Sequence, residues 1–397
     1  MTGYLPGVEE ILGDRDEFFD RYFNRAPLLR RSALRGEPVS VLSIADLDAV
    51  VDAEAIRPPY LDVAKDGKQV PPAAYTEPVV VQGLYLTDRV VPARVASLFR
   101  SGATLTFNAL NHHRPNLRQL AASLTETFGS PAEVIAFLTP ATRRGLAPHY
   151  DPVDVFVVQL AGTKSWRVWP VPHPRRGDDA GNLDEAALGE PAIAATLQPG
   201  DILYIPYNCA HVATAGEQVS LHLSLTVQPR RWASLVQEVV TRITGADPTY
   251  WANPNLRDEA TPDQLRAMLD ALAADLRAVD TSAEIAHLIE AGIVRADGTT
   301  TSSALADAAA ADAIEPSTIL ARDGSCVVEV VDDEGDAVRA SVNGAVYTLP
   351  RAVIKALDAL AGDATCTAAS LLPGSGADRS TRTARTLARI GLLRAVR

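Results

Sequence analysis

The segment LAPHYDPVDVFVVQLAGTKSWRVWP, residues 146–170, decides the fold prediction. It contains two runs rich in β-branched and aromatic residues, VDVFVVQLA and KSWRVW. A short turn that contains glycine separates them, so the two runs are predicted to be the strands of a hairpin. Similar runs occur between about residues 130 and 230: AEVIAFLTP, GDILYIP and SLHLSLTVQP. Closely spaced short strands without intervening helices are typical of a β-sandwich or barrel.

A histidine and an aspartate stand two residues apart just before the first run. Side chains at i and i+2 of a strand lie on the same face, so His149 and Asp151 are predicted to point to one side. His211 follows GDILYIP, 62 residues after His149 (211 minus 149), which is enough chain for antiparallel strands to return beside the first. Two imidazoles and one carboxylate on one face are the ligand set of non-haem iron(II) oxygenases. A chance His-x-Asp pair is the alternative interpretation.

Lys164 begins the second run, 15 residues after His149 (164 minus 149). A lysine that faces the interior of a strand pair is costly unless it meets an anion. The sequence therefore favours an anionic ligand at Lys164, and a solvated lysine in the turn stays open as the alternative.

Upstream and downstream of this region the pattern is helical. RPNLRQLAASLTETFG, residues 114–129, carries Leu117, Leu120 and Leu124 on one side, and Gly129 is predicted to end that helix. DRDEFFDRYFNRAPLL, residues 14–29, has an aromatic stripe at helical spacing, which Pro27 would end. Helical patterns return after Arg231.

Three segments together resemble one known family: GLAPHYDPVDVFVVQLAGTKSWRVW, LQPGDILYIPYNCAH and SLHLSL. They are similar to the JmjC-type, cupin-fold ribosomal oxygenases. The resemblance implies an α+β chain with a double-stranded β-helix (cupin or jelly-roll) as the catalytic domain over residues 1–230. It further implies a helical dimerisation region over residues 231–298 and a winged-helix-like C-terminal domain over residues 299–397.

The same resemblance implies an Fe(II)- and 2-oxoglutarate-dependent dioxygenase that uses dioxygen to hydroxylate a protein side chain, His or Arg of a ribosomal protein. The implied iron ligands are His149, Asp151 and His211. Lys164 would bind the 5-carboxylate of 2-oxoglutarate, and Ser224 would assist in binding the cosubstrate. Asn108, polar within the apolar segment LTFNAL, is either part of the pocket lining or a hydrogen-bonded core amide.

One departure from the family leaves the substrate open. Ile135 and Phe137 stand where the histidine-hydroxylating relatives carry polar residues, so both are candidates for the substrate pocket. The same chemistry on a biosynthetic peptide or a free amino acid is therefore an alternative. A non-catalytic cupin that binds a partner is another, although it would be free to lose the residues that are intact here.

Composition limits the remaining possibilities. The 397 residues carry a net charge of −12, which argues against general nucleic-acid binding. No apolar run reaches the roughly 18 residues of a membrane span, and the N-terminus lacks the pattern of a secretory signal. The three cysteines, Cys209, Cys326 and Cys366, are far apart and predict no disulfide framework. We expect a cytoplasmic homodimer.

Overall fold

The computed structural model describes residues 4–143, 146–174, 179–297, 304–323, 328–332, 336–342, 345–360 and 364–396. Cys326 lies outside the described residues. The chain divides into two compact units, Met1–Ala296 and Asp297–Arg397. Among the helices that the structure describes, none combines the length and apolar character needed to cross a bilayer.

The first unit is built mainly from antiparallel strands. In chain order they are β1 (Leu28–Arg30), β2 (Leu61–Lys65), β3 (Lys68–Gln69), β4 (Thr76–Val81), β5 (Leu84–Val90), β6 (Thr104–Phe107), β7 (Ala132–Thr139), β8 (His149–Tyr150), β9 (Asp154–Ala161), β10 (Lys164–Val168), β11 (Gly181–Asn182), β12 (Ile193–Leu197), β13 (Ile202–Ile205), β14 (His211–Ala215) and β15 (Ser220–Val227). An eight-stranded sheet has the order β1-β13-β9-β15-β7-β6-β2-β3, and a five-stranded sheet has the order β11-β8-β14-β10-β12. The strands β4 and β5 form a separate hairpin.

The predicted hairpin between β9 and β10 is wrong. Strand β9 lies between β13 and β15 in the larger sheet, whereas β10 lies between β14 and β12 in the smaller one. Val157 of β9 and Trp166 of β10 belong to one apolar cluster, so the two strands pack across the sheets instead of pairing at their edges. At the crossing, Gly162 has a φ of +59°, and a Cβ there would lie 2.1 Å from the carbonyl oxygen of Val219.

The first unit has helices that pack on the outer face of the larger sheet and helices that come after the last strand in the sequence. They are α1 (Val8–Leu12), α2 (Arg15–Glu17), α3 (Ile44–Asp52), α4 (Pro92–Arg100), α5 (Pro115–Phe128), α6 (Trp232–Ala246), α7 (Thr261–Ala278) and α8 (Thr281–Asp297). Helix α5 buries Leu117, Leu120 and Leu124 and ends at Gly129 in the left-handed conformation, as the sequence predicts. The predicted aromatic helix is realised as α2 followed by a π-helical turn, Phe18–Tyr22.

The core of the first unit has two main parts. The larger cluster joins the outer face of the eight-stranded sheet to side chains of α3, α4 and α5, with Phe18, Phe107, Phe156 and Tyr204 among its members. The smaller cluster lies between the two sheets and includes Val155, Val157, Trp166, Leu203 and Ile205. The strands β9 and β13 contribute to both clusters because both faces of the central strands are buried.

The second unit contains two three-stranded antiparallel sheets and short helices. Its strands are β16 (Ile319–Arg322), β17 (Val328–Asp332), β18 (Ala337–Val342), β19 (Ala345–Pro350), β20 (Thr365–Thr367) and β21 (Leu393–Ala395), in the orders β20-β16-β21 and β17-β18-β19. Its helices are α9 (Ala304–Ala310), α10 (Arg351–Asp358) and α11 (Ala377–Arg389). A separate apolar cluster holds this unit together.

Candidate metal centre

His149, Asp151 and His211 lie together at one end of a cavity between the two sheets, and we call them the ligand triad. Their candidate ligand atoms all lie within 4.8 Å of one another. Asp151 Oδ2 lies 3.6 Å from His149 Nε2 and 3.5 Å from His211 Nε2. The three side chains therefore converge on one point, as a mononuclear metal site requires.

Strand pairing brings the two histidines together across 62 residues of sequence. His211 on β14 is the direct cross-strand partner of His149 on β8, and their ring centroids are 4.2 Å apart. Strand β8 ends at Tyr150, so Asp151 lies just beyond it. The backbone N–H of Asn208 donates to the carbonyl oxygen of Asp151 at 3.0 Å, which ties the two segments together.

Each histidine is held in the tautomer that a metal ligand needs. Nδ1 of His149 lies 2.8 Å from the carbonyl oxygen of Ala147, and Nδ1 of His211 lies 3.0 Å from that of Cys209. A carbonyl oxygen can only accept, so each Nδ1 carries the proton and each Nε2 presents a lone pair toward Asp151. Backbone partners of this kind orient metal-binding imidazoles.

Electrostatics keep His211 neutral. Burial, and then the nearby His149, lower the pKa of His211 to about 4, although Asp151 acts in the opposite direction. The imidazole is therefore uncharged at physiological pH. An uncharged imidazole is the form that binds a metal ion.

Lys164 lies farther along the same strands. It pairs with Ala215, whereas Val168 on the same strand pairs with His211. Four residue steps separate these two levels, about 13 Å along the strand at about 3.3 Å per residue. The alternating burial of β10 turns Lys164, Trp166 and Val168 inward, so the inward-facing lysine predicted from the sequence is present.

The ammonium group of Lys164 is buried with little compensation. The side chain is 4 % exposed, and its single described hydrogen bond is a donation to Thr139 Oγ1 at 3.3 Å. Burial lowers the pKa of Lys164 to about 7. Since a lysine ammonium has three donors, the cavity at this end favours an anionic ligand.

Three of the four other predicted pocket residues lie in the cavity lining. Ser224, Ile135 and Phe137 all line the cavity. The strands β7 and β15 bring them together, because Ser224 pairs with Ile135 and His222 pairs with Phe137.

Asn108 does not join them. It lies one residue beyond the end of β6, and its Nδ2 donates to the carbonyl oxygen of Pro59 at 2.7 Å and to Asp62 Oδ2 at 2.8 Å. Asn108 is therefore a hydrogen-bonded amide, the second of the two alternatives, and it is not among the residues that line the cavity.

Trp166 and His222 are among the cavity-lining residues that the sequence analysis did not identify. Each is related to a predicted residue by a spacing of two, Trp166 to Lys164 and His222 to Ser224. The period of the strands was therefore the signal that could have found them. We call Lys164, Trp166 and His222 the lysine wall of the cavity.

Comparisons with known proteins agree with this geometry. Residues 109–235 match the family described as the JmjC domain. Ribosomal oxygenase 1 of Rattus norvegicus is 33% identical over 233 residues, which cover 57% of this chain and 37% of the relative. The human ribosomal oxygenase 1 is 32% identical over 233 residues, covering 57% of this chain and 34% of that protein. The chain thus spans about a third of the length of these curated relatives.

A further relative is the "bifunctional lysine-specific demethylase and histidyl-hydroxylase NO66" of Drosophila mojavensis. It is 32% identical over 169 residues, which cover 41% of this chain and 19% of that protein.

Solved structures show the same fold. Escherichia coli ycfD aligns over 100% of both chains with a TM-score of 0.54 and 20% identity. The YcfD structure in complex with cobalt and 2-oxoglutarate aligns over 96% of this chain and 98% of that one, with a TM-score of 0.52 and 19% identity. These matches and the sheet topology confirm the predicted cupin fold and the predicted resemblance. Residues 109–235 therefore match the JmjC domain, and the chain is similar to ribosomal oxygenase 1 over 233 residues.

Proposed function

We propose that this protein is an Fe(II)- and 2-oxoglutarate-dependent dioxygenase. The observation that carries the proposal is the pairing, in one cavity, of the ligand triad with a buried lysine. Two imidazoles and a carboxylate fit iron(II) and leave positions open for other ligands. The name of the related YcfD complex, which contains cobalt and 2-oxoglutarate, supports the same assignment.

Separate residues of this chain would bind the iron and the cosubstrate. His149, Asp151 and His211 would hold the iron, and the carbonyl oxygens of Ala147 and Cys209 would keep the two imidazoles oriented. Lys164 would bind the 5-carboxylate of 2-oxoglutarate by a charge-assisted hydrogen bond, which is strong where water is excluded. Ser224, on the cavity wall, would assist in binding the cosubstrate.

Bound iron(II) would supply the oxidation: dioxygen adds one oxygen atom to a substrate C–H bond while 2-oxoglutarate becomes succinate and carbon dioxide. The protein contributes binding, orientation and exclusion of water. Ile205 and Val155 form apolar parts of the cavity lining.

The proposed substrate is a side chain of a ribosomal protein, His or Arg. The names of the relatives, ribosomal oxygenase and histidyl-hydroxylase, support this class. Ile135 and Phe137 line the cavity and would contact the substrate with apolar surfaces. Phe137 already stacks on one imidazole, that of His222, with 3° between the ring planes.

The test is succinate formation by anaerobically purified protein that receives Fe(II), 2-oxoglutarate and ascorbate in air, with and without purified ribosomal proteins of the same cell. A ribosomal protein that gains the mass of one oxygen atom, with matching succinate, is the expected result. Succinate without such a gain would redirect the search to biosynthetic peptides and free amino acids. Iron-loaded protein that makes no succinate under any condition would favour a non-catalytic binding role.

We also propose that residues 231–298 dimerise the protein and that residues 299–397 form a winged-helix-like domain. Supporting the first proposal, α6, α7 and α8 expose several large apolar side chains: Trp232, Val236, Leu265, Leu269 and Ile285. Exposed apolar surface of this extent is typical of protein interfaces. Light scattering measures the mass directly, and Leu269→Glu is expected to yield monomer while the iron content stays unchanged.

A further inference from the structure

The lysine wall contains buried polar atoms that form no hydrogen bond with the described residues. Nδ1 of His222 and Nε1 of Trp166 are both buried and have no hydrogen-bond partner among the described residues. His222 is 1 % exposed and Trp166 is 6 % exposed. A buried donor without a partner costs about 1–3 kcal/mol, so native proteins rarely keep one unless a ligand or water completes it.

These two atoms belong to the same small region as the Lys164 ammonium. Lys164 Nζ lies 5.6 Å from the ring centroid of Trp166 and 5.9 Å from that of Phe137. The rings of Trp166 and His222 meet edge to face at 5.5 Å. All four side chains line the cavity, and one wall therefore combines a cation with two incompletely bonded rings.

The chemistry of the wall indicates what it binds. An indole N–H only donates, and an ammonium only donates. Burial, followed by the charge of Lys164, lowers the pKa of His222 well below its usual range, so its imidazole is neutral and donates through one nitrogen. A ligand that suits all three groups must accept several hydrogen bonds and carry negative charge, which describes a carboxylate.

Strand geometry fixes the wall. Trp166 follows Lys164 by two residues on β10, and His222 precedes Ser224 by two on β15. The pairing of β15 with β9 shifts register between Leu221 and His222, so the strand is irregular next to the imidazole. His222 also stacks on Phe137, at 4.9 Å between centroids, so its ring is supported from both sides.

We propose that His222 and Trp166 bind the distal carboxylate of the cosubstrate together with Lys164, a role that rests on the function proposed above. Lys164 supplies the charge, and the two rings supply neutral N–H donors that select an acceptor over an apolar group. The lysine wall thus recognises the second acid group of a 2-oxo diacid.

The experiment measures binding, not turnover. 2-Oxoglutarate and 2-oxopentanoate, which has a methyl group in place of the distal carboxylate, are titrated into anaerobic Fe(II)-loaded protein, and the charge-transfer absorption of the complex is followed. His222→Phe keeps the ring that stacks on Phe137 but removes the donor. We expect it to weaken 2-oxoglutarate binding roughly 10- to 100-fold and to leave 2-oxopentanoate binding within about twofold.

Two further variants make the result specific. His222→Asn keeps a donor near the position of Nδ1 and should retain most of the affinity that His222→Phe loses. Trp166→Phe removes the other orphaned donor independently and should also weaken 2-oxoglutarate selectively. His113→Phe is the matched control, because His113 is exposed and lies outside the cavity lining. Melting temperatures and iron content report whether each variant is folded.

The outcomes separate this proposal from the one on which it rests. If wild-type protein binds iron but no 2-oxoglutarate, the proposed function fails and this inference fails with it. If wild-type protein binds 2-oxoglutarate and both Phe variants bind it equally well, only this inference is overturned. Equal losses for the two acids would likewise overturn it, since they would indicate a change of cavity shape.

Discussion

The ligand triad and the lysine wall lie in the same cavity but satisfy their polar atoms differently. In the triad, Nδ1 of each histidine is bonded to a backbone carbonyl, so both rings are oriented before any ligand arrives. In the wall, Lys164 has one described bond at 3.3 Å, and the rings of Trp166 and His222 have orphaned nitrogens. The triad is therefore pre-organised, whereas the wall is completed by what it binds.

This difference has an energetic meaning. A pre-organised site loses little conformational entropy on binding, because its side chains were already ordered when the protein folded. A wall with unsatisfied buried donors destabilises the free protein and gains when an acceptor enters. Removing single groups from each part tests this contrast, and the largest effects are expected where a charged or metal-binding group is removed.

The largest effect is expected from His211→Ala. The variant loses one of three ligands and should lose stoichiometric iron binding and all turnover, measured as iron per chain and succinate formed. His173→Ala, at an exposed histidine, is the control and should behave as wild type. Full iron loading of His211→Ala would remove the triad as the metal site.

Lys164→Ala should weaken 2-oxoglutarate binding without affecting iron binding. Removing one partner of a buried charged pair costs about 2–5 kcal/mol, so 2-oxoglutarate binding should weaken by roughly 30-fold or more. Iron content should stay at the wild-type level, because the triad has its own orienting bonds. Lys68→Ala, at an exposed lysine, is the control, and an unchanged affinity in Lys164→Ala would mean that the carboxylate binds elsewhere.

The pKa of Lys164 predicts a pH dependence. In the proposed function the charged lysine would bind the carboxylate, and burial lowers the pKa of Lys164 in the free protein to about 7. Affinity for 2-oxoglutarate should therefore fall as pH rises above 7, by up to about tenfold per pH unit. His222, the titratable group beside Lys164, stays neutral in this range because its pKa is lowered well below its usual value.

Lys164→Arg is the sharpest control for that dependence. An arginine keeps its charge throughout the range, so the variant's affinity should be flat between pH 7 and 9. A slope that persists in Lys164→Arg would assign the titration to another group.

The smallest effect is expected from Ser224→Ala. Ser224 lines the cavity next to the wall, and a neutral hydrogen bond contributes about 0.5–1.5 kcal/mol. The affinity for 2-oxoglutarate should fall by roughly two- to tenfold, measured by the same titration. A loss as large as that of Lys164→Ala would mean that Ser224 positions the lysine.

Sequence periodicity predicted the local parts of this structure well. The spacing of two residues in β10 placed Lys164 inward, and the apolar stripe of α5 with Gly129 at its end gave the helix and its end point. The triad was also predictable, since His149 and Asp151 are two residues apart and His211 begins a strand that returns beside them. The apolar and glycine pattern did not reveal that the turn at Gly162 crosses between sheets.

What the sequence determined by itself was therefore the direction of each side chain within its own element, because backbone geometry fixes that period locally. Only the tertiary structure decided which strands became neighbours, since pairing depends on where distant apolar faces are buried. That decision joined Trp166 of β10 to His222 of β15 and left both nitrogens without described partners. It also placed the amide of Asn108 against Asp62 Oδ2, because the pairing of β2 with β6 brings these two segments side by side.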